Sequence, residues 1–186
     1  MKKVISFLIV MSLIFCFAGC KKEEEKKSPH PVNIEEYAKK GEIPEVPYKL
    51  GQNIEELKTL LEEANADSAH AGENSFYVDD SSDTVFISSG DYSFYYDKYQ
   101  EEKGVTFLVT SAKAFGFERE TVIIEVEEVL AKYDYVKEDF NTENSFFIYD
   151  PEGTVLKAQF GEYTVIFAFV ENGLSATAIY KTNDWK

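Results

Sequence analysis

Asp79-Asp80-Ser81-Ser82-Asp83 is the densest run of oxygen donors in this chain of 186 residues. Clustered carboxylate and hydroxyl oxygens are what calcium takes. The run is too short for an EF-hand loop and lacks its closing Glu, so the competing reading is a polar turn between two strands, and no metal ligand is assigned. Zinc has no ligand set either, because His30 and His70 stand alone and a zinc site needs several imidazoles or thiolates. No glycine-rich phosphate loop is present, and no serine has a plausible base partner. Acid pairs such as Glu101/Glu102 and Glu127/Glu128 carry little signal in a chain with 34 acidic and 19 basic residues. The expectation is a protein that is not an enzyme and needs no cofactor.

Two cysteines hold the remaining chemistry. Met1-Lys2-Lys3 is basic, and Val4 to Phe17 is almost wholly apolar. That run is short of the roughly 20 residues a transmembrane helix needs. A basic start, an apolar stretch and small residues before a cut describe an export signal. Phe17-Ala18-Gly19-Cys20 resembles a bacterial lipobox, although Phe17 stands where Leu is commoner. The resemblance implies cleavage before Cys20, a diacylglycerol on its sulfur, and usually acylation of the new amino terminus. The alternatives are an ordinary signal peptide with a stray cysteine, or a short anchor. On the lipoprotein reading, residues 1–19 are the signal peptide and residues 20–47 are the lipidated Cys20 with a flexible tether. Residues 48–116 and 117–186 then form two folded units. Lys21 to Lys27 is all charge and cannot bury apolar surface, and two or three acyl chains anchor firmly where one is marginal. Cys16 leaves with the signal, so the folded part has no thiol and no disulfide. The expected location is the bacterial cell membrane, lipid-anchored on the extracytoplasmic side.

Removing residues 1–19 takes Lys2 and Lys3 from the 19 basic residues, leaving 17 against 34 acidic ones, a net −17. Nucleic acid is excluded as a partner, because phosphate recognition needs a basic stripe. The acid excess reads as a solvated surface, with a basic partner as the second reading. Tyr and Phe are abundant, 12 and 15 residues, which fits a sheet-rich fold.

Those residues must be positioned by repeated elements. Glu73-Asn74-Ser75-Phe76 recurs as Glu143-Asn144-Ser145-Phe146. Thr84-Val85-Phe86 matches Thr154-Val155-Leu156, and Gly90-Asp91-Tyr92 matches Gly161-Glu162-Tyr163. The first copy opens with a helix: Asn53 is its N-cap in a capping box with Glu56, and Ile54, Leu57, Leu60 and Leu61 are its apolar stripe. The second copy has a helix near Glu125 to Lys132. Strands are expected at about 75–78, 84–88, 92–98 and 105–110, and again at about 145–149, 154–159, 163–170 and 174–180. Short turns such as Ser89-Gly90-Asp91 join them as antiparallel neighbours. The fold class expected is α+β. It consists of two tandem repeats of one helix plus a four-stranded antiparallel meander, with helices on one face of the sheet or sheets.

Alternation assigns the faces. Tyr92, Phe94 and Tyr96 read as core, and the alignment of the copies puts Phe86, Leu156, Phe107 and Val109 with them. Val85, Ile87, Tyr95, Tyr99, Leu108, Ile166 and Ile179 then point outward. A half-apolar face bearing tyrosines suits protein binding; the other reading is that the face packs on the second repeat or on residues 34–50. The tandem unit over Tyr48 to Trp185 resembles the β-lactamase-inhibitor-protein-like fold. That resemblance implies two units joined into a concave sheet that grips a partner protein. The inhibitor's disulfides are absent, and none of its loop residues is carried over. The function expected is therefore a non-enzymatic envelope lipoprotein that binds a protein through Tyr95, Tyr99, Ile166 and Leu108. The runner-up is a structural or assembly subunit of an envelope complex, and a hydrolase-like enzyme using acidic residues comes third.

Overall fold

The computed structural model describes residues 32–66, 76–111, 113–141, 152–171 and 173–184. Cys20, His30, His70 and Trp185 lie outside the described residues, as do the repeated Glu73–Ser75 and Glu143–Phe146 segments and the strand expected at 145–149. The described α-helices are α1 (Ile34–Ala38), α2 (Ile54–Ala66) and α3 (Ile123–Leu130), and Glu101–Lys103 forms one 3-10 turn. The strands are β1 (Tyr77–Asp79), β2 (Thr84–Ser89), β3 (Tyr92–Asp97), β4 (Phe107–Thr110), β5 (Tyr135–Asn141), β6 (Glu152–Phe160), β7 (Tyr163–Val170) and β8 (Gly173–Lys181).

Helix α2 starts where its sequence says it should. The Asn53 side-chain oxygen accepts the Glu55 and Glu56 N–H groups at 2.9 and 3.2 Å, satisfying donors that a helix start leaves open. Ile54, Leu57 and Leu61 are buried, with Leu60 packed beside them. Helix α3 begins at Ile123, two residues before the expected Glu125. Val122 has no side-chain acceptor for its cap. The Glu125 carboxylate accepts the Val122 N–H at 3.1 Å, and the Thr121 hydroxyl accepts the Glu118 N–H at 3.0 Å.

The expected α+β architecture of two helix-plus-four-strand repeats is overturned. The molecule is mostly one eight-stranded antiparallel sheet, ordered β1-β2-β3-β4-β8-β7-β6-β5, and only two of its three described α-helices exceed one and a half turns. Strands β4 and β8 pair through Phe107↔Tyr180, Leu108↔Ile179, Val109↔Ala178 and Thr110↔Thr177, so the sheet has no break at its centre. The copy alignment also fails at the level of side chains. It equates Phe86 with Leu156, yet pairing puts Ile87, Phe94, Leu108, Ile179, Val165 and Ala158 on one cross-strand line under the helices. Val85, Ile87, Leu108 and Ile179, expected outward, are core residues alongside Leu57 and Leu130. Phe86, Phe107 and Val109, expected inward, lie on the opposite face. A one-residue slip in an alignment flips every side chain of a strand to the other face.

The strand paired to β6 is another difference. It is Tyr135–Asn141, which contains Lys137-Glu138-Asp139 and closes one edge of the sheet. Charge on an edge strand discourages pairing with other chains, and the same charge hides the strand from an apolar pattern.

One polar group is out of place. The Thr177 hydroxyl is buried on the helix side and has no hydrogen-bond partner among the described residues. A buried unsatisfied hydroxyl costs roughly 1–3 kcal/mol. Thr177→Val, which keeps the shape, should raise stability by about 1 kcal/mol in a urea titration; a loss of that size would show that the hydroxyl is paired.

Candidate functional site

On the face opposite the helices, cross-strand pairing brings five aromatic rings into one row. The register Phe86↔Tyr95↔Phe107↔Tyr180 runs across β2, β3, β4 and β8. Ring centroids are 5.0 Å apart for Phe86–Tyr95, 5.5 Å for Tyr95–Phe107 and 5.3 Å for the stacked pair Phe107–Tyr180. Tyr77 of β1 extends the row, 6.3 Å from Phe86. The row crosses the β4–β8 junction. The ends of the row are open: Tyr77 is 61% exposed, and Phe86, Tyr95 and Tyr180 are half-buried. Its middle is not, because Phe107 is only 1% exposed and shares a buried cluster with Phe140, Val155, Ile166, Ala168 and Ala178.

The four residues expected to bind a partner separate. Tyr95 and Ile166 share this face and this cluster. Tyr99 is 75% exposed but lies past the end of β3, in a turn where its N–H donates to the Asp97 carboxylate at 2.8 Å. Leu108 is on the other face, fully buried between Phe94 and Ile179. Tyr77, Phe86, Phe107 and Tyr180 were missed. A signal for Phe86 exists: the two-residue turn Gly90-Asp91 fixes Ser89↔Tyr92, which dictates Phe86↔Tyr95.

The Asp79–Asp83 segment is a turn. The Ser81 hydroxyl and then its N–H, the latter at 3.0 Å, hold the Asp79 carboxyl below its usual range. The Lys98 ammonium donates to the Asp80 carbonyl at 3.0 Å and stands 3.9 Å from its carboxylate. Among the described residues no three of His, Cys, Asp and Glu converge to hold a metal ion, and no helix is long and apolar enough to cross a membrane. Tyr48, Tyr92 and Tyr96 cluster on the helix side, where burial pushes their hydroxyls up.

No family model matches this chain, and no curated protein matches it. Among solved structures, it is similar to the crystal structure of a DUF4309 family protein (YjgB) from Bacillus subtilis subsp. subtilis str. 168. The identity is 12% over 80% of this chain and 93% of that one, with a TM-score of 0.48.

Proposed function

We propose that this protein is a non-enzymatic cell-envelope lipoprotein, anchored through Cys20, that binds a protein partner on the sheet face opposite its helices. The observation that supports this reading is the row Tyr77–Phe86–Tyr95–Phe107–Tyr180. Tyrosine offers large apolar contact with a hydroxyl that can hydrogen-bond, and such rings dominate binding energy at protein interfaces. The anchor rests on the residues around Cys20 alone.

Two experiments test the two halves of the proposal. Cys20→Ala should abolish incorporation of an alkyne-tagged palmitate by the expressing cells and release the protein from the membrane fraction; unchanged labelling refutes the anchor. The full-length chain in detergent is then used as bait against solubilised envelope, beside a Tyr77→Ser/Tyr180→Ser variant with the same circular dichroism. A protein retained by the first and lost by the second establishes the face. Equal retention refutes it.

A second reading has one observation in its favour. Tyr77, at one end of the row, is 61% exposed, a large ring that this chain by itself leaves uncovered. That suits a structural subunit whose face is permanently covered. Such a subunit would sediment as an oligomer or lose its fold when purified alone, whereas the binder sediments as a folded monomer.

A further inference from the structure

A cleft of about 400 Å³ is lined by Leu50, Lys103, Val105, Tyr163, Lys181 and Asp184, none of them in the aromatic row. Its apolar walls are continuous with the helix-side core, to which Val105 belongs and against which Leu50 and Tyr163 pack. Close backbone approaches build it. The Gly51 N–H donates to the Val105 carbonyl at 2.8 Å, and the Val105 N–H to the Gln52 carbonyl at 3.0 Å. Gly104 makes this approach possible, since a Cβ there would sit 2.3 Å from the Gln52 oxygen. At Gly41 a Cβ would crowd Leu50 at 3.1 Å and the Tyr163 ring at 3.3 Å, so its absence seats both walls.

The polar groups of the cleft are paired in sign. Lys103 stands 3.6 Å from the Asp184 carboxylate, beyond hydrogen-bond length, so both groups keep their hydrogen-bonding capacity. Lys181 meets Glu162 at 2.7 Å, and an ammonium has three donors, so two remain. The hydrogen bond that Lys181 donates to the Glu162 carboxylate, and then that carboxylate's charge, hold the Lys181 ammonium above its ordinary range, so it stays charged at neutral pH. Two cations and two anions leave the surroundings close to neutral. A free anion would meet Asp184 and Glu162 here, in a chain of net charge −15. An uncharged molecule that carries donors and acceptors around an apolar ring meets complementary groups on every side.

We propose that this cleft binds a saccharide, with the C–H face of a sugar ring against Tyr163 and its hydroxyls shared among Lys103, Lys181 and Asp184. The volume lies within the range of small-ligand sites, about 300–1,000 Å³. The proposal is independent of the aromatic row and of the lipid anchor.

The test is saturation-transfer NMR on the full-length chain in detergent, with chitobiose, cellobiose and maltose at millimolar concentration. At least one should receive saturation. That signal should fall at least fivefold in Tyr163→Ala and in Lys103→Gln/Asp184→Asn, and persist in Tyr77→Ser/Tyr180→Ser. The Lys103/Asp184 pair is near the surface, so its variant keeps the test decisive if Tyr163→Ala does not fold. Silence from all three sugars overturns the proposal, as does a signal that the Lys103→Gln/Asp184→Asn variant leaves intact. Displacement of the sugar by an equal concentration of citrate would also overturn it, in favour of an anion site.

Discussion

Phe115→Ala is expected to remove about 3–5 kcal/mol of stability, the range for truncating a buried phenylalanine. At about 2–4 °C of melting temperature per kcal/mol in a chain this long, the midpoint should fall by roughly 10 °C. Phe115 is fully buried in the connection from β4 to α3, and its ring lies 6.0 Å from that of Phe167. Phe117 packs on the same Phe167 ring at 5.7 Å. The backbone between them is a tight turn: Ala114 and Phe117 exchange both N–H···O bonds, at 3.0 and 2.9 Å. Phe115 and Gly116 have φ of +53° and +82°, the left-handed conformation of a primed two-residue turn. Phe115 therefore combines an unfavourable backbone, worth roughly 1–2 kcal/mol, with a ring the core needs. This predicts an inverted order between two small residues. Glycine is ordinarily less stabilising than alanine in a fixed backbone, but here Phe115→Gly should be at least as stable as Phe115→Ala. Urea denaturation of both variants checks it. A midpoint unchanged in Phe115→Ala would remove the ring from the core, and a Phe115→Gly protein clearly weaker than Phe115→Ala would remove the left-handed turn.

Local signals in the sequence were readable, and non-local ones were not. Asn53 with the stripe Ile54, Leu57 and Leu61 announces α2, because cap chemistry and helical period lie within one stretch. Tyr92, Phe94 and Tyr96 announce their own face by alternation, as Tyr95 and Ile166 do theirs. The Leu108↔Ile179 pairing joins residues 71 positions apart, and no local pattern encodes which strand β4 meets. Reading two copies from matched segments left that question open and displaced the register that Gly90-Asp91 sets. The same error hid most of the aromatic row. Phe107 and Tyr180 become neighbours only through the β4–β8 pairing, and Tyr99 looked like part of the face only while β3 was extended past Asp97.

Leu108 separates the two descriptions of this sheet by experiment. On the copy alignment it points outward and helps to grip a partner. In the structure it lies under the helices with no exposed surface, aligned with Phe94 on one side and Ile179 on the other. Phe107, one residue earlier, faces the aromatic row, as alternation along a strand requires. Leu108→Ala should then cost about 2–5 kcal/mol, the sum of lost transfer energy and the cavity left behind. Its effect on binding should be nil once stability is accounted for. At a temperature where circular dichroism shows the variant fully folded, it should retain the same partner as the unaltered chain, while Tyr77→Ser/Tyr180→Ser does not. Leu108→Ala within about 0.5 kcal/mol of the unaltered chain would place the residue at the surface, where such changes are usually harmless. A folded Leu108→Ala protein that loses the partner would instead require the binding face to include the helix side of β4, and the aromatic row would no longer mark the interface.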